Sequence, residues 1–576
     1  MCGIAGIVGE GGGRDVVARM TERMRMRGPD DGDVWAGPGA ALGHRRLSIL
    51  DLSPAGRQPM TSGDLTIVFN GEIYNYRELR RDLPGPFRSN SDTEVILHLF
   101  AREGEGCVAK LRGMFAFAIW DSRRRVLFAA RDRLGIKPFL YAERPGAFAF
   151  ASEIGALLEV APRDLDRTAL ADYFTYKYVP APKTIYSTIR KLPPAHTLAY
   201  DGRVRLSRYW SPDPAVTRSD PDAALEELRP LLRECVVSHT LADVPVGVFL
   251  SGGIDSTAIV AHLDRPRTFT VGFDVGEHSE APQARRVAEH FRTEHREETV
   301  AAIEVEEALD AVPRMVGEPF GDSSAWPTHI VSRVARRDVK VALSGEGGDE
   351  VFSGYGWYRK WLEMRPQRAA RALAGVLPPF SSAGRSLHRR GADDFERYAA
   401  LLGVFTVRQK RALLAPEFID RDYDPLWHFR AHWRGDLDPV KRMQWADMHT
   451  FLPDDILVKA DRASMAVSLE VRPPFLDHRL VEFALSLDSK LVREGGEGKR
   501  ILRRLLRGVA PPEAFARPKK GFSMPVRRWI RERPAILRDA FGRLASAGVL
   551  RTSRPPRLDG EQMWTILVLD RWWHRA

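Results

Sequence analysis

The stretch of sequence that decides the fold is Val244-Pro245-Val246-Gly247-Val248-Phe249-Leu250-Ser251-Gly252-Gly253-Ile254-Asp255-Ser256. Residues 244–250 are apolar without alternation, which is typical of a strand buried on both faces. Two glycines follow and a helical pattern then begins, so the stretch predicts a strand, a loop and a helix. Helix-like and strand-like segments go on alternating as far as residue 343, which predicts a parallel sheet in an α/β domain.

The loop at 251–256 has the chemistry of an anion site. Its glycines let the backbone approach a ligand, and the N–H groups of the following helix suit phosphate. Ser251 and Ser256 can donate hydroxyl hydrogen bonds, but the loop lacks the Gly-Lys-Ser/Thr of a Walker A motif. A single Ser-Gly-Gly is a weak signal, because such turns are common.

A second glycine-rich loop, at residues 344–350, strengthens that signal. It reads Ser344-Gly345-Glu346-Gly347-Gly348-Asp349-Glu350 and follows another strand-like run. Loops at the ends of two parallel strands face one crevice, where α/β sheets bind ligands. Asp255 and Asp349 could then share magnesium on nucleotide phosphates. A solvated acidic turn is the alternative for the second loop, and the first loop disfavours it.

The other chemical signal stands at the start of the chain, Met1-Cys2-Gly3-Ile4-Ala5-Gly6. Removal of Met1 would leave Cys2 with a thiol and a free α-amine. The amine titrates near ~8 and the thiol near ~8.5, so the amine can accept the thiol proton at neutral pH. Such a nucleophile suits attack on an amide or ester carbonyl. The alternative is that Cys2 is simply a small residue that permits removal of Met1.

The two signals lie in segments of different texture. Residues 1–210 contain several strand-like runs and a few helices, and 65–69 is a strand ending in an Asn70-Gly71 turn. A proline-rich polar stretch at 211–221 predicts a linker. Residues 223–241 are helical in pattern, and Pro230 predicts a kink or restart there. From about residue 355 the chain reads mostly helical.

Composition excludes several classes of protein. With 576 residues the chain is too long for one core, and 44% hydrophobic content is ordinary for a globular protein. No run of 18 apolar residues and no signal peptide is apparent, so we expect a cytoplasmic protein without a membrane span. Three cysteines without a CxxC pair support neither a zinc site nor a disulfide framework. Cys107 and Cys235 are expected in the core.

The net charge of +11 could indicate a nucleic-acid surface. The basic residues are, however, scattered and interleaved with acids, and the richest stretch lacks an aromatic platform. A mild positive excess also suits a polyanionic small substrate such as ATP. We therefore expect no nucleic acid among the partners.

Twelve motifs in the order of the chain resemble those of the glutamine-dependent asparagine synthetase family. They are Cys2-Gly3-Ile4, Arg27-Gly28-Pro29-Asp30, His44-Arg45-Arg46-Leu47-Ser48-Ile49, Asn70-Gly71-Glu72-Ile73-Tyr74-Asn75, Ser91-Asp92-Thr93-Glu94, Gly113-Met114-Phe115-Ala116-Phe117, Arg131-Asp132, Gly135-Ile136-Lys137-Pro138, the two loops at 251–256 and 344–350, Arg472-Pro473-Pro474-Phe475-Leu476-Asp477 and Lys499-Arg500-Ile501-Leu502-Arg503. The resemblance covers nearly the whole chain.

The resemblance implies a fold and a division into domains. Residues 2–210 would be a class II glutamine amidotransferase, an α+β N-terminal-nucleophile sandwich with αββα layers. Residues 222–576 would be an α/β parallel-sheet ATP-pyrophosphatase domain with a helical C-terminal part.

The family implies roles in the first domain. Cys2 resembles the nucleophile that attacks the glutamine side-chain amide, and Asn70 and the Gly71 N–H resemble the oxyanion hole. Such donors are each worth roughly 3–4 kcal/mol. Arg46 resembles the contact to the glutamine α-carboxylate, and Glu72 and Asp92 resemble those to its α-ammonium; Asn70 is also counted among the glutamine contacts. An ordinary surface ion pair is the alternative for Arg46 and Asp92.

The family also implies roles in the second domain, with ATP and Mg²⁺ as cofactors. Asp255 and Asp349 resemble metal ligands, and Glu346 and Lys499 resemble a catalytic pair that acts on the adenylyl-transfer step. The residues that resemble nucleotide contacts are Leu250, Ser251, Gly252, Gly253, Asp255, Ser256, Val271, Gly272, Ser344 and Gly345.

The implied reaction has three stages. Cys2 forms a glutamyl thioester and releases ammonia, a carboxylate is adenylated with loss of pyrophosphate, and ammonia replaces AMP. An apolar passage between the two sites is expected, since bulk water would protonate ammonia.

The acceptor stays open at this stage. Aspartate, giving asparagine, is the first interpretation. The second is the same chemistry on a natural-product, peptide or cell-envelope precursor, because residues 173–196 resemble a longer bacterial branch of the family whose acceptors vary. An enzyme acting on tRNA and an inactive scaffold are disfavoured by the intact catalytic set. The sequence leaves the oligomeric state open, with a homodimer as one option.

Overall fold

The computed structural model describes residues 2–9, 13–273, 280–300, 305–364, 367–515, 524 and 526–575. Met1, whose removal would free the Cys2 α-amine, lies outside them. Within these ranges, no helix combines the length and the apolar character that crossing a membrane requires.

Two six-stranded sheets form the N-terminal part. Their strands are β1 (Gly3–Gly9), β2 (Asp31–Gly37), β3 (Ala40–Arg46), β4 (Met60–Ser62), β5 (Leu65–Ile73), β6 (Gly113–Asp121), β7 (Val126–Arg131), β8 (Leu140–Arg144), β9 (Ala147–Ala151), β10 (Ile189–Lys191), β11 (His196–Tyr200) and β12 (Val204–Arg208). One sheet has the order β10-β8-β9-β1-β3-β2 and the other β12-β11-β7-β6-β5-β4. All the described pairings within them are antiparallel.

The two sheets pack face to face. Ile4 and Leu42 of the first sheet share one buried cluster with Val68 and Trp120 of the second. The helices of this part are α1 (Arg14–Glu22), α2 (Tyr76–Arg81), α3 (Asp92–Glu103), α4 (Ile154–Leu157) and α5 (Arg167–Tyr176). The second sheet buries its other face under α3, and α1 packs on the first. This arrangement confirms the predicted α+β sandwich.

The turn predicted at Asn70-Gly71 is wrong. Strand β5 runs through both residues to Ile73 and pairs Asn70 with Ala116 and Gly71 with Phe115 of β6. The glycine serves the close approach of β6, because a Cβ at position 71 would lie 2.1 Å from the Met114 carbonyl oxygen.

Of the kink or restart predicted at Pro230, the structure excludes the restart. Helix α6 (Pro221–Ser238) is one element that contains Pro230, with no restart. Pro230 is exposed, so water can reach the carbonyl that lacks a donor. Apolar residues on the opposite face, including Leu228 and Leu232, hold the helix to the core.

The predicted parallel sheet is confirmed. Strands β13 (Val246–Phe249), β14 (Arg267–Phe273), β15 (Glu294–Val300), β16 (Val341–Leu343) and β17 (Glu470–Arg472) lie in the order β15-β14-β13-β16-β17, and all are parallel. Because β13 and β16 are neighbours, the glycine-rich loops that follow them meet at one edge of the sheet. A small hairpin, β18 (Arg493–Glu494) and β19 (Glu497–Gly498), precedes Lys499.

Helices cover this sheet and form the rest of the chain. They are α7 (Ile254–Val260), α8 (Ala281–Phe291), α9 (Val305–Val316), α10 (Ala325–Arg336), α11 (Gly348–Val351), α12 (Gly356–Glu363), α13 (Arg368–Val376), α14 (Ser382–Gly391), α15 (Asp394–Leu402), α16 (Val407–Leu413), α17 (Trp427–Ala431), α18 (Pro439–His449), α19 (Leu457–Met465), α20 (His478–Ser486), α21 (Ser489–Val492), α22 (Arg500–Leu506), α23 (Val526–Glu532), α24 (Pro534–Ser546) and α25 (Gly560–Trp573). The largest buried cluster joins these helices to α1, α4 and α5 of the N-terminal part.

Two buried arginines join the two parts of the chain. Arg27 donates both guanidinium Nη atoms to the Asp461 carboxylate of α19, at 2.8 and 2.9 Å. Arg472 of β17 donates an Nη to Glu72 of β5 at 2.8 Å. At both contacts the arginine and the carboxylate side chains are at most 5% exposed.

Replacement of Asp461 by Asn tests the first of these contacts. The variant removes the more deeply buried of the two carboxylates that pair with Arg27 and leaves only Glu153, at 3.2 Å. Loss of a buried partner costs up to about 3–5 kcal/mol. We therefore expect a lower urea midpoint, followed by tryptophan fluorescence. Asp33→Asn is the matched control, because Asp33 pairs with Arg14 at the surface, where side chains are 47% and 62% exposed and a pair contributes little. Equal midpoints for the two variants would contradict the expectation.

Candidate functional site

Cys2 lies immediately before the central strand β1 and faces the second sheet. Its backbone nitrogen donates to Asn70 Oδ1 at 2.9 Å, and its carbonyl oxygen accepts from Arg27 Nε at 3.0 Å. Burial raises the pKa of the Cys2 thiol, so the thiol needs a base in contact to become a nucleophile. The nitrogen that would be freed by removal of Met1 is on the same residue.

Asn70 is the best-placed donor beside Cys2. The side chain is fully buried and its Nδ2 has no hydrogen-bond partner among the described residues. A buried amide donor left unpaired costs free energy unless a ligand atom completes it. Asn70 therefore offers one fixed donor to an oxygen that develops charge near Cys2 Sγ.

Glu72 and Asp92 lie on the same side of the second sheet. Glu72 Oε2 accepts from Arg472, whereas Oε1 is buried without a hydrogen-bond partner among the described residues. Asp92 Oδ2 accepts from the Ile73 N–H at 2.9 Å, and burial raises the pKa of Asp92 to about 6 in spite of that bond. The two carboxylates suit a cationic group of a ligand.

Arg46 is held by backbone carbonyls at the end of β3. Its guanidinium donates to Ser53 O at 3.1 Å, to Leu50 O at 3.2 Å and to Asp51 O. Each bond fixes the direction of the planar fork, which suits a carboxylate ligand. The structure thus places Arg46, Asn70, Glu72 and Asp92 at one end of the sandwich with Cys2.

A second candidate site is a cavity of about 1040 Å³ in the C-terminal part. Both glycine-rich loops line it, as do β14 and the start of α22. The predicted nucleotide contacts in its wall are Leu250, Ser251, Gly253, Asp255, Ser256, Val271, Ser344 and Gly345. Ser344 Oγ is buried and has no hydrogen-bond partner in the described part of the chain.

Gly252 and Gly272 are not in this wall. Gly252 has a positive φ of 74°, and a Cβ there would lie 2.7 Å from the Ala284 nitrogen. Its role in the structure is to turn the loop against α8. Gly272 lies within β14, one residue beyond Val271.

Lys499 occupies the space between the two predicted metal ligands. Its ammonium contacts Asp349 Oδ1 at 2.7 Å and also Asp255. Lys499 has a φ of 58°, which is rare for a lysine and aims the side chain at the carboxylates. Glu346 lines the same cavity, but the ammonium of Lys499 is bonded to the two aspartates.

The residues fit a magnesium ion held with a polyphosphate. Asp255 and Asp349 are both close enough to contact one ammonium group, and a Cβ at Gly348 would lie 2.6 Å from Asp255 Cγ. No group of three or more His, Cys, Asp or Glu residues suited to a metal occurs among the residues that the structure describes. Two carboxylates with phosphate oxygens are a usual Mg²⁺ arrangement.

Sequence reasoning assigned no role to several residues of these sites. Arg27 and Arg472 stand in quoted motifs, but only the structure shows that they contact Cys2 and Glu72. Lys177 and Lys459 line the cavity although they lie far from both loops in the sequence. The sequence places Lys177 between two tyrosines, in the segment 173–196 that resembles a longer bacterial branch of the family. No residue pattern there indicates that Lys177 reaches a cavity.

Comparison with known proteins identifies the family of each part of the chain. The family described as glutamine amidotransferase domain matches residues 1–210, and the family asparagine synthase matches residues 227–572. A Mycobacterium tuberculosis protein provisionally named asparagine synthetase (glutamine-hydrolysing) is 36% identical, over 99% of this chain and 97% of its own length. Asparagine synthetase (glutamine-hydrolysing) 1 of Bacillus subtilis is 35% identical, over 92% and 88%.

A solved Bacillus subtilis glutamine phosphoribosylpyrophosphate amidotransferase is 16% identical, over 60% of this chain and 82% of its own, with a TM-score of 0.30.

The two family matches show a glutamine-dependent amidotransferase, in which a glutamine amidotransferase domain is joined to an asparagine synthase domain. The chain belongs to the asparagine synthetase family.

The raised pKa of Asp92 predicts how glutamine binding depends on pH. Below about 6 the carboxyl is protonated and loses its charge for an ammonium group. In the Cys2→Ala background, where no hydrolysis interferes, glutamine affinity should fall about tenfold for each pH unit below that value. Calorimetry of the Cys2→Ala and the Cys2→Ala, Asp92→Asn proteins between pH 5 and 8 measures it. The double variant should bind weakly at every pH, and an equal slope in both proteins would exclude Asp92.

Proposed function

We propose that this chain converts aspartate to asparagine, using ATP and the ammonia released from glutamine, through an acyl-adenylate with AMP and pyrophosphate as the other products. One observation carries the proposal. Asn70 Nδ2, beside Cys2, has no hydrogen-bond partner among the described residues, a separate cavity surrounds Lys499, and helix α19 lies between the two.

The glutaminase half-reaction would begin at Cys2. The α-amine accepts the thiol proton, Sγ attacks the side-chain carbonyl carbon of glutamine, and Asn70 Nδ2 donates to the resulting oxyanion. The tetrahedral intermediate then collapses, and the side-chain nitrogen leaves as ammonia after it takes the proton held by the α-amine. The thioester that remains is hydrolysed by water to glutamate and free thiol. Glu72 Oε1 and Asp92 would hold the α-ammonium, and Arg46 the α-carboxylate.

Ammonia would travel along helix α19. Asp461 of this helix contacts Arg27, whose Nε contacts the Cys2 carbonyl. Lys459, two residues earlier, lines the cavity. The face between them includes buried Ala460 and Ala463, which could not protonate ammonia. Transfer along this helix would keep ammonia out of bulk water.

The synthetase half-reaction would take place in the cavity. The N–H groups at the start of α7, with Ser251 and Ser344, suit the phosphates of ATP. Asp255 and Asp349 would hold Mg²⁺, which supplies positive charge to the phosphate oxygens. A carboxylate oxygen of the acceptor attacks the α-phosphorus and pyrophosphate leaves. Ammonia then attacks the acyl carbon, AMP leaves, and the product nitrogen loses a proton.

A larger carboxylate is the second candidate acceptor. The cavity volume of about 1040 Å³ lies at the upper end of the range for small-molecule sites. It therefore has room for a natural-product, peptide or cell-envelope precursor beside the nucleotide. Pyrophosphate release measured against a panel of carboxylates, aspartate included, separates the two candidates.

Replacement of Cys2 by Ala should uncouple the two half-reactions. Glutamine hydrolysis should be lost, because Asn70 and the glutamine contacts cannot replace the nucleophile. Amide formation from added ammonium should stay within about twofold of wild type, since the cavity is in the other domain. Ammonia and pyrophosphate assays measure the two activities. Cys107→Ala is the control, because Cys107 is buried in a separate cluster. Glutaminase activity in Cys2→Ala equal to wild type would refute the nucleophile.

Replacement of Asp349 by Asn should have the opposite pattern. It removes one negative charge that faces the metal and the phosphates, so acceptor-dependent pyrophosphate release should fall at least about a hundredfold. Glutamine hydrolysis should be unchanged. Asp338→Asn, which affects an ion pair with Arg296 away from the cavity, is the control. Wild-type pyrophosphate release by Asp349→Asn would remove Asp349 from the assigned ligands.

A further inference from the structure

Lys177 of the N-terminal part reaches the cavity of the C-terminal part. It ends helix α5 with a φ of 66°, a conformation that a lysine seldom adopts and that surrounding contacts must maintain. Its carbonyl oxygen accepts from the Gly321 N–H at 2.6 Å, and its side chain lines the cavity and is 13% exposed. The synthetase half-reaction proposed above assigns no role to Lys177 or to the carboxylates that it contacts.

Opposite charges surround the Lys177 ammonium. It lies 3.1 Å from Asp455, 3.5 Å from Glu561 and 3.9 Å from Asp322. Lys459 Nζ lies 3.8 Å from Asp322 and 3.1 Å from Ser324 Oγ. These residues come from separate elements, so only the tertiary structure assembles two cations and three carboxylates around the cavity wall.

Asp455 is the buried member of this cluster. It is fully buried, and burial together with the neighbouring Asp322 raises the pKa of its carboxyl. A raised pKa disfavours the charged form of Asp455, and the other carboxylates that Lys177 contacts are Asp322 and Glu561. Glu561 is 53% exposed and can turn away from Lys177 at little cost when a ligand binds.

Aromatic side chains of the cavity wall connect this cluster to the glycine-rich loop at residues 344–350. Lys177 Nζ lies 5.4 Å from the centre of the Phe451 ring, and that ring lies 5.8 Å from Tyr355. Tyr355 donates to Glu350 at 2.6 Å, and Glu350 follows Asp349 in the sequence. A ligand lying along this wall would extend from the Lys177 cluster toward Asp349 and Lys499.

We propose that the Lys177 cluster binds the α-amino-acid head group of the carboxylate acceptor. Lys177 and Lys459 would bind its α-carboxylate, and Asp322 and Glu561 its α-ammonium, so that the distal carboxylate extends toward Lys499. The charge pattern complements a zwitterion, and charge-assisted bonds make such contacts strong. The inference rests on the proposed function and adds to it the chemical class of acceptor, whether a free dicarboxylic amino acid or a longer one.

Paired acceptors test this with ATP saturating and ammonium as the nitrogen source. β-Alanine is aspartate without the α-carboxylate, and 5-aminopentanoate is 2-aminoadipate without it. In Lys177→Met, KM for the complete amino acid should rise at least about tenfold, while KM for its truncated partner should not change. Lys177→Arg should retain most of the affinity. Lys177→Gly should behave like Lys177→Met, and it relieves the backbone strain at this position, so misfolding cannot explain the result.

Lys183→Met is the matched control, because Lys183 also pairs with a buried carboxylate, Asp172, but does not line the cavity. Its KM values should equal those of wild type. Equal changes for complete and truncated acceptors in Lys177→Met, or no change in either, would overturn the inference. A wild type that amidates only carboxylates lacking this head group would overturn it and leave amide formation intact. A wild type that hydrolyses glutamine but releases pyrophosphate with none of them would refute the proposed function itself.

Discussion

The buried ion pair between Arg27 and Asp461 is the interaction on which the arrangement of the two sites depends. One guanidinium holds the Cys2 carbonyl and, through two bonds, the helix α19 that borders the cavity. A charge buried in this way is costly without its partner, so the domains cannot separate freely. Arg472 makes a second such contact to one carboxylate oxygen of Glu72, and the other oxygen has no hydrogen-bond partner within the described part of the chain. Each domain thus completes part of the other's site.

Two lysines with strained backbone conformations line the cavity. Lys499 and Lys177 both have left-handed backbone conformations, and both place an ammonium group among carboxylates of the wall. Strain of this kind persists only where surrounding contacts determine it, and it is concentrated at functional sites. An ammonium between Asp255 and Asp349 also keeps these carboxylates from repelling each other when no cation is bound. A metal ion bound by these two carboxylates would have to displace the Lys499 ammonium group.

The local sequence pattern predicted many of the strands and helices. It failed where residues distant in the sequence, or solvent, determine the backbone conformation. The apolar run before Ser251 predicted the buried strand, because a strand covered on both faces needs no polar residue. Asn70-Gly71 has the composition of a turn, but the approach of β6 requires the glycine and the strand continues. Pro230 has the chemistry of a helix break, yet its exposed position lets water satisfy the freed carbonyl and the helix continues. In both cases the deciding atoms are distant in sequence or belong to solvent.

The sequence by itself predicted the elements that carry the two candidate sites, and its motifs identified the family. Cys2, the two glycine-rich loops and the strands before them are local features, and each follows from residue type and spacing. The tertiary structure alone decided which side chains complete each site. Asp461 lies 434 residues from Arg27, and Glu72 lies 400 residues from Arg472. No local pattern encodes such partners, because a buried charge acquires its partner only when distant segments pack and exclude water.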